Sequence, residues 1–281
     1  MYLNYYKLAE HPFKTNPNPR FLWFGEKYRE AAAVLEYGML KSDGFLLLTG
    51  DIGTGKTSLI RHLVGRTERE AMVATVPDPD MPPLDFCRYL ADAFGLSPGF
   101  EGKADFLIAF KRFLLNADSR RKKVFLIIDE AQKLGHELLE QVRLLSNIEL
   151  DDRKLLNVFL AGQSEVVELL KAQHCDAFRQ RITVSHHLEP LTADETVHYI
   201  AHRLRVAGAK RGIFTVEACA RIHRIADGIP RLVNSVCDCA LLSGYVRSRT
   251  RIDSTIIAEC ENDLRIAIGH RPLSPPGPED G

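Results

Sequence analysis

Gly50-Asp51-Ile52-Gly53-Thr54-Gly55-Lys56-Thr57 follows the spacing G-x-x-x-x-G-K-[ST] without a gap. Glycines at these positions let a backbone curl so that successive N–H groups point at one phosphate group. A helix starting near Lys56 would add the positive end of its dipole. The spacing predicts a cradle for ATP made of Gly50 to Thr57 and continued by Ser58. Lys56 would neutralise the β- and γ-phosphates, and Thr57 would supply a magnesium ligand.

A second constellation is Val124-Phe125-Leu126-Ile127-Ile128-Asp129-Glu130, an apolar run ending in two carboxylates. Beside a phosphate loop, Asp129 is expected to hold Mg2+, directly or through water, and Glu130 to act as general base on the attacking water. Glu130 is what favours hydrolysis over binding alone. Leu156–Ala161 is a similar apolar stretch, interrupted by Asn157, and ends in Gly162-Gln163. Gln163 would meet the water or the γ-phosphate.

Three arginines complete the candidate site. Phe178-Arg179-Gln180-Arg181 precedes the last apolar strand, where Arg179 or Arg181 would reach a neighbouring subunit's nucleotide as an arginine finger. The sequence does not choose between the two. Gly228-Ile229-Pro230-Arg231 opens a later helix, since proline is tolerated at the first helical position. Arg231 on a movable lid would contact the γ-phosphate and report its loss.

These residues need a scaffold. Residues 1–24, rich in aromatics, Asn and Pro, read as extended and turn structure. Glu26–Leu40 reads as a helix. Strand patterns at Phe45–Leu48, Ala71–Val76, Val124–Ile128, Leu156–Ala161 and Ile182–Leu188 are separated by helical ones at Ser58–Arg66, Pro83–Phe94, Ala104–Leu115, Glu137–Leu145 and Glu165–Leu170. Such alternation predicts an α/β fold, a five-stranded parallel sheet with helices on both faces. After Leu188 the patterns are helical only: Asp194–Ala207, Val216–Ala226, Arg231–Arg247 and Asp253–Ile268, with Thr192 and Glu195 spaced as a capping box. The expected division is an α/β domain over 1–188 including the N-terminal extension, a small all-α lid over 189–268, and a disordered, Pro-rich tail over 269–281.

Lys plus Arg equals Asp plus Glu at 37 each, so net charge gives no pointer to nucleic acid, although it says nothing of local distribution. Arg120-Arg121-Lys122-Lys123 and Arg247-Ser248-Arg249-Thr250-Arg251 are local basic runs; DNA contact there is weighed and not favoured. No apolar run approaches the roughly 18 residues that cross a bilayer. The first residues lack the apolar core of a signal peptide. The expected compartment is the cytoplasm. Six cysteines fit no zinc spacing and read as free, mostly buried thiols. His186-His187 lacks a third ligand nearby in the sequence.

The order of these elements resembles the AAA+ superfamily of P-loop NTPases, and within it the ATPases of the ExeA/GspA type (general secretion pathway protein A-like), relatives of TniB- and MuB-like transposition ATPases. The resemblance covers about residues 1–266. It rests on Met1-Tyr2-Leu3, His11-Pro12-Phe13, Asn18-Pro19-Arg20-Phe21-Leu22, Gly44–Thr57, Asp129-Glu130-Ala131-Gln132, Leu160–Glu165, Arg179-Gln180-Arg181-Ile182, Gly228–Asn234 and Cys237-Asp238. It implies an α/β core with a helical lid and ATP at their junction. It also implies a homo-oligomeric ring or filament in which one subunit's arginine completes the next subunit's site.

ExeA-type proteins often carry a transmembrane segment and a peptidoglycan-binding module after the ATPase. This sequence stops before either, so an anchor at the inner membrane is expected from a partner protein. Three functions fit the same residues: an ATPase driving assembly of a secretion or cell-envelope complex, an ATP-gated DNA-binding adaptor of the transposition-helper kind, and a nucleotide-switched scaffold with negligible turnover. The first two share every catalytic residue.

Overall fold

Strand residues buried on both sides make near-continuous apolar runs, while each side chain still faces one layer only. Both features are present in the computed structural model, which describes residues 1–281 except 17, 42–43, 68–70, 97–99, 173–174 and 264–281. In chain order the elements are α1 (Tyr2–Tyr6), α2 (Glu26–Lys41), β1 (Phe45–Gly50), α3 (Lys56–Thr67), β2 (Ala71–Val76), α4 (Pro83–Ala93), α5 (Lys103–Ser119), β3 (Lys123–Ile128), α6 (His136–Leu145), β4 (Leu156–Gly162), α7 (Glu165–Lys171), α8 (Asp176–Arg179), β5 (Ile182–Leu188), α9 (Ala193–Val206), α10 (Val216–Ala226), α11 (Pro230–Val246) and α12 (Ser254–Asp263). The tail expected over 269–281 lies outside the described residues.

The five strands form one parallel sheet in the order β2-β3-β4-β1-β5. Phe45, Leu47, Val124, Leu126, Ile128, Val158 and Leu160 face a core shared with Phe86, Phe106, Phe110 and Leu138. Leu46, Leu48, Phe125, Ile127, Phe159 and Ala161 face the opposite core, with Ala31, Leu35, Leu59, Ile60 and Leu63. Each fully buried Val, Leu, Ile or Phe among these contributes about 1.5–3 kcal/mol relative to exposure. Parallel strands all end on one side, so β1, β3 and β4 deliver the phosphate loop, the acidic pair and Gln163 to the same edge.

The chain divides into two units, Pro17–Glu189 and a second made of Met1–Asn16 with the residues from Pro190 onward. This differs from the expected division, which assigned the N-terminal extension to the α/β domain. The reason is that its aromatic and polar groups find partners among the C-terminal helices. Tyr2, Tyr6 and Phe13 are buried. The Tyr2 hydroxyl donates to Asp238 Oδ1 at 2.5 Å and meets His11 Nδ1 at 2.8 Å. Arg203, itself buried, donates to the carbonyls of Pro12 (2.6 Å) and Lys14 (3.1 Å) and to the Tyr199 hydroxyl (2.8 Å). Tyr199 in turn donates to Asn234 Oδ1. Residues 2–6 are helical where the sequence reads as irregular.

In the helical unit, the capping box at the start of α9 is formed, with Thr192 Oγ1 accepting from Glu195 N and the Glu195 carboxylate accepting from Thr192 N. Pro230 occupies the first turn of α11. Cys87, Cys175, Cys219 and Cys237 are buried thiols. Among the described residues no helix is long and apolar enough to cross a membrane, and no group of His, Cys, Asp and Glu forms a ready metal cluster.

Candidate active site

The phosphate loop takes its shape from the sequence. Gly53 (φ 86°) and Gly55 (φ 101°) lie in the left-handed region, where a side chain is strained. Helix α3 starts at Lys56, so the first-turn N–H groups open toward the loop. Asp51 and Ile52 are exposed on the rim, whereas Thr54 and Lys56 are buried and Gly53, Gly55, Thr57 and Ser58 are half-buried. The carbonyl of Asp51 gathers three donors: Thr54 N, Thr54 Oγ1 and Lys56 Nζ. Lys56 Nζ also donates to Gly50 O at 2.8 Å. Burial pulls the Lys56 ammonium below the usual lysine range, while the carboxylates of Asp129, Glu130, Asp51 and Glu165 oppose that shift.

Lys56 and the acidic pair come together through the sheet. Thr57 Oγ1 donates to Asp129 Oδ2 at 2.6 Å. The other carboxylate oxygen, Asp129 Oδ1, accepts from Glu130 N at 3.0 Å. Glu130 sits in the left-handed region at φ 50°, ψ 40°, which turns the chain sharply at the strand's end. Its carboxylate accepts from Gln132 Nε2. The Gln132 side-chain oxygen accepts from the backbone N–H of Gln163 at 3.0 Å. Gln163, half-buried, follows β4, the strand between β1 and β3.

The oxygens of Thr57 and Asp129 are hard donors adjoining a lysine and a helix N-terminus. That set fits a Mg2+–nucleotide: oxygen ligands for the cation, N–H groups and an ammonium for the phosphates.

The arginines are dispersed. Arg181 precedes β5, whose first residue pairs with Phe45 and whose last pairs with Gly50. A strand of this length spans about 20 Å, so Arg181 and Arg179 sit at the sheet end opposite their own phosphate loop. Arg179 pairs with Asp176 at 2.7 Å. Arg181 Nη1 donates to Ser146 Oγ at 2.8 Å, and burial together with neighbouring Arg143 lowers its pKa. Arg231 is exposed in the first turn of α11, in the helical unit.

Three residues join the site that motif reading did not assign. Tyr28, buried on α2, donates its hydroxyl to the carbonyl of Thr54 inside the loop. Gln132 bridges Glu130 and Gln163. Glu165, at the start of α7, acts electrostatically on Lys56.

Residues 39–170 match the family described as AAA domain. Over 253 residues, 90% of its length, the chain is 38% identical to General secretion pathway protein A of Aeromonas hydrophila, of which 46% is covered. The chain carries an AAA domain over residues 39–170 in an AAA+ fold, and it resembles the general secretion pathway protein A-like ATPases. Solved structures share the fold at low identity. Cdc6p from Pyrobaculum aerophilum aligns with TM-score 0.65 at 16% identity, covering 87% of this chain and 70% of that one. A DNA-bound ORC from Drosophila aligns with TM-score 0.68 at 14% identity, covering 96% of this chain and 67% of that one. The chain spans less than half the length of the curated relatives it matches.

Proposed function

We propose that this AAA+ chain is a magnesium-dependent ATPase whose turnover energises assembly of a secretion or cell-envelope complex. The observation that carries the chemistry is the pairing of Thr57 with Asp129 at 2.6 Å beside the Lys56 ammonium. The loop N–H groups and Lys56 bind and orient the phosphates. Bound magnesium, held by Thr57 and Asp129, supplies neutralisation of phosphate charge. Glu130 accepts a proton from the water that attacks the γ-phosphorus, and the bond from the γ-phosphorus to the bridging oxygen breaks to release ADP and phosphate. Gln163 orients that water or a γ-phosphate oxygen.

The position of Arg179 and Arg181 at the far end of the sheet supports action on a neighbouring copy's nucleotide, and hence a homo-oligomer. Arg231 is the residue by which the lid would sense the γ-phosphate. The similarity to General secretion pathway protein A supports a protein partner in secretion or the envelope, with the chain in the cytoplasm and peripheral to the inner membrane through that partner. The alternative is a DNA-binding adaptor of the transposition-helper kind. Part of its basic surface is engaged locally: Lys123 Nζ caps the Met39 and Leu40 carbonyls, and Arg247 pairs with Glu259.

The test is steady-state ATP hydrolysis against protein concentration, with and without duplex DNA. Turnover per subunit that rises with concentration and ignores DNA is expected. Turnover only with DNA moves the reading to the adaptor, and none under any condition leaves a nucleotide-switched scaffold.

A further inference from the structure

The Gln132 side-chain amide is hydrogen-bonded at both ends, to the residue that closes β3's acidic pair and to the residue that follows β4. It lies in the 3-10 turn Ala131–Lys133, which follows the left-handed Glu130. That reversal aims the Gln132 amide back across the end of β4. Its Nε2 donates to Glu130 Oε2, and its Oε1 accepts from the Gln163 N–H. The space for it is reserved by Gly162: a Cβ there would stand 2.7 Å from Gln132 Oε1 and 3.2 Å from Ala131 N.

We infer that Gln132 is a positioning residue that orients the Glu130 carboxylate and couples it to the end of β4 at Gln163. The inference rests on the hydrolytic role proposed for Glu130. Only a neutral amide of this length does both jobs. It donates to a carboxylate and accepts from an N–H at once, whereas an ionised Glu has no proton to donate and Asn is a methylene short. With Oε2 held by Gln132, Glu130 keeps Oε1 for water. A shift of the Gln163 backbone changes the pull on the amide and so the direction of the base, which links whatever contacts Gln163 to the readiness of Glu130.

The test uses the full chain and the variants Gln132→Leu, Gln132→Glu, Glu130→Gln and Glu130→Gln with Gln132→Leu. Gln132→Glu is nearly isosteric and serves if Gln132→Leu does not fold. Nucleotide affinity is read with a fluorescent ATP analogue, and kcat by phosphate release. The Gln132 variants are expected to bind within about threefold of wild type while kcat falls about tenfold or more, as loss of orientation costs rate rather than binding. In the Glu130→Gln background, Gln132→Leu should cost less than about twofold more, because residues acting through one group are not additive.

A kcat at or above wild type in a folded Gln132 variant overturns the inference. So does an affinity loss that matches the kcat loss, or multiplying losses in the double variant. Failure of the underlying reading is separate: it appears as no turnover in wild type, or as wild-type turnover in Glu130→Gln, and the inference falls with it.

Discussion

Thr57 Oγ1 and Asp129 Oδ2, 72 residues apart in sequence, are joined by a 2.6 Å hydrogen bond. One lies in the first turn of α3 and the other directly follows β3, so the contact exists only because β1 and β3 terminate on the same edge of a parallel sheet. In the proposed site both oxygens would ligate one cation. Thr57→Ala and Asp129→Asn are therefore expected to raise the Mg2+ concentration for half-maximal turnover by about tenfold or more, since loss of ligand-shell groups costs about 10–100-fold in metal affinity. Thr57→Ser, which keeps the hydroxyl, should stay close to wild type. A magnesium titration of ATP hydrolysis reads both.

Lys56 is expected to control ATP affinity in a pH-dependent way. Burial lowers its pKa in the protein without ligand. A phosphate anion favours the charged ammonium, so the pKa in the complex is higher than in the free protein. Affinity contributed by Lys56 is then complete below the free-protein pKa and is lost as pH rises from that value toward the bound one. ATP binding should weaken at alkaline pH below the ordinary lysine range, while Lys56→Ala should bind about 10–100-fold more weakly and lack that limb. Calorimetric binding at a series of pH values checks the slope.

Contiguous motifs were the legible part of this molecule. The phosphate loop needs glycines and a lysine at fixed spacing, and an apolar strand ending in Asp129-Glu130 carries its own context. The alternation of strand and helix gave the parallel sheet, because both-faced burial leaves apolar runs such as Phe45–Leu48. Roles that depend on distant partners were not legible locally, even for a residue that stands in a motif, as Gln132 does. Gln132 acquires its partner from Gln163, 31 residues away on the neighbouring strand's end. Tyr28 reaches Thr54 from α2. Helix α1 has five residues, too short for periodicity and too short to stand without packing. The N-terminal segment joins the helical unit through Arg203, 191 residues from Pro12.

That last contact predicts a separable stability effect. Arg203→Leu removes the donors held by the Pro12 and Lys14 carbonyls. Each buried polar group left without a partner costs about 1–3 kcal/mol. A lower denaturation midpoint and faster proteolysis within residues 1–16 are expected, read by mass spectrometry of limited digests. An unchanged cleavage rate in this segment would show that Arg203 does not retain it.

Gly228 is demanded by backbone geometry. Its φ is 68°, and a Cβ there would collide with the carbonyl oxygen of Leu191, whose N–H donates to Gly228 O at 2.9 Å. Gly228→Ala is expected to destabilise the helical unit by about 1–3 kcal/mol. Amide exchange should rise across α9 to α11 and remain as in wild type over β1, β3 and β4.

Arg179 and Arg181 lie at the N-terminal end of β5, and the phosphate loop at the C-terminal end of β1, with Phe45 paired to Ile182 and Gly50 to Leu188. Neither side chain spans that length of sheet, so the arginine finger proposed here would have to act on a second copy. Arg181→Ala or Arg179→Ala alone should lower turnover, and a Lys56→Ala chain should be inactive by itself. Mixing the two kinds of subunit builds interfaces in which an intact phosphate loop from the arginine variant meets an intact arginine from the Lys56 variant. Recovery of activity on mixing is expected for the arginine that reaches the neighbour, and for that one only. The other should gain nothing. Arg181 is tied to Ser146 and half-buried, whereas Arg179 is exposed and held by a long 3.4 Å bond to the Leu170 carbonyl and by a surface ion pair with Asp176 worth at most about 1 kcal/mol, so Arg179 is freed more easily. Rescue with Arg179→Ala is therefore the expected result. Rescue with Arg181→Ala instead would mean that the Ser146 contact opens when copies assemble.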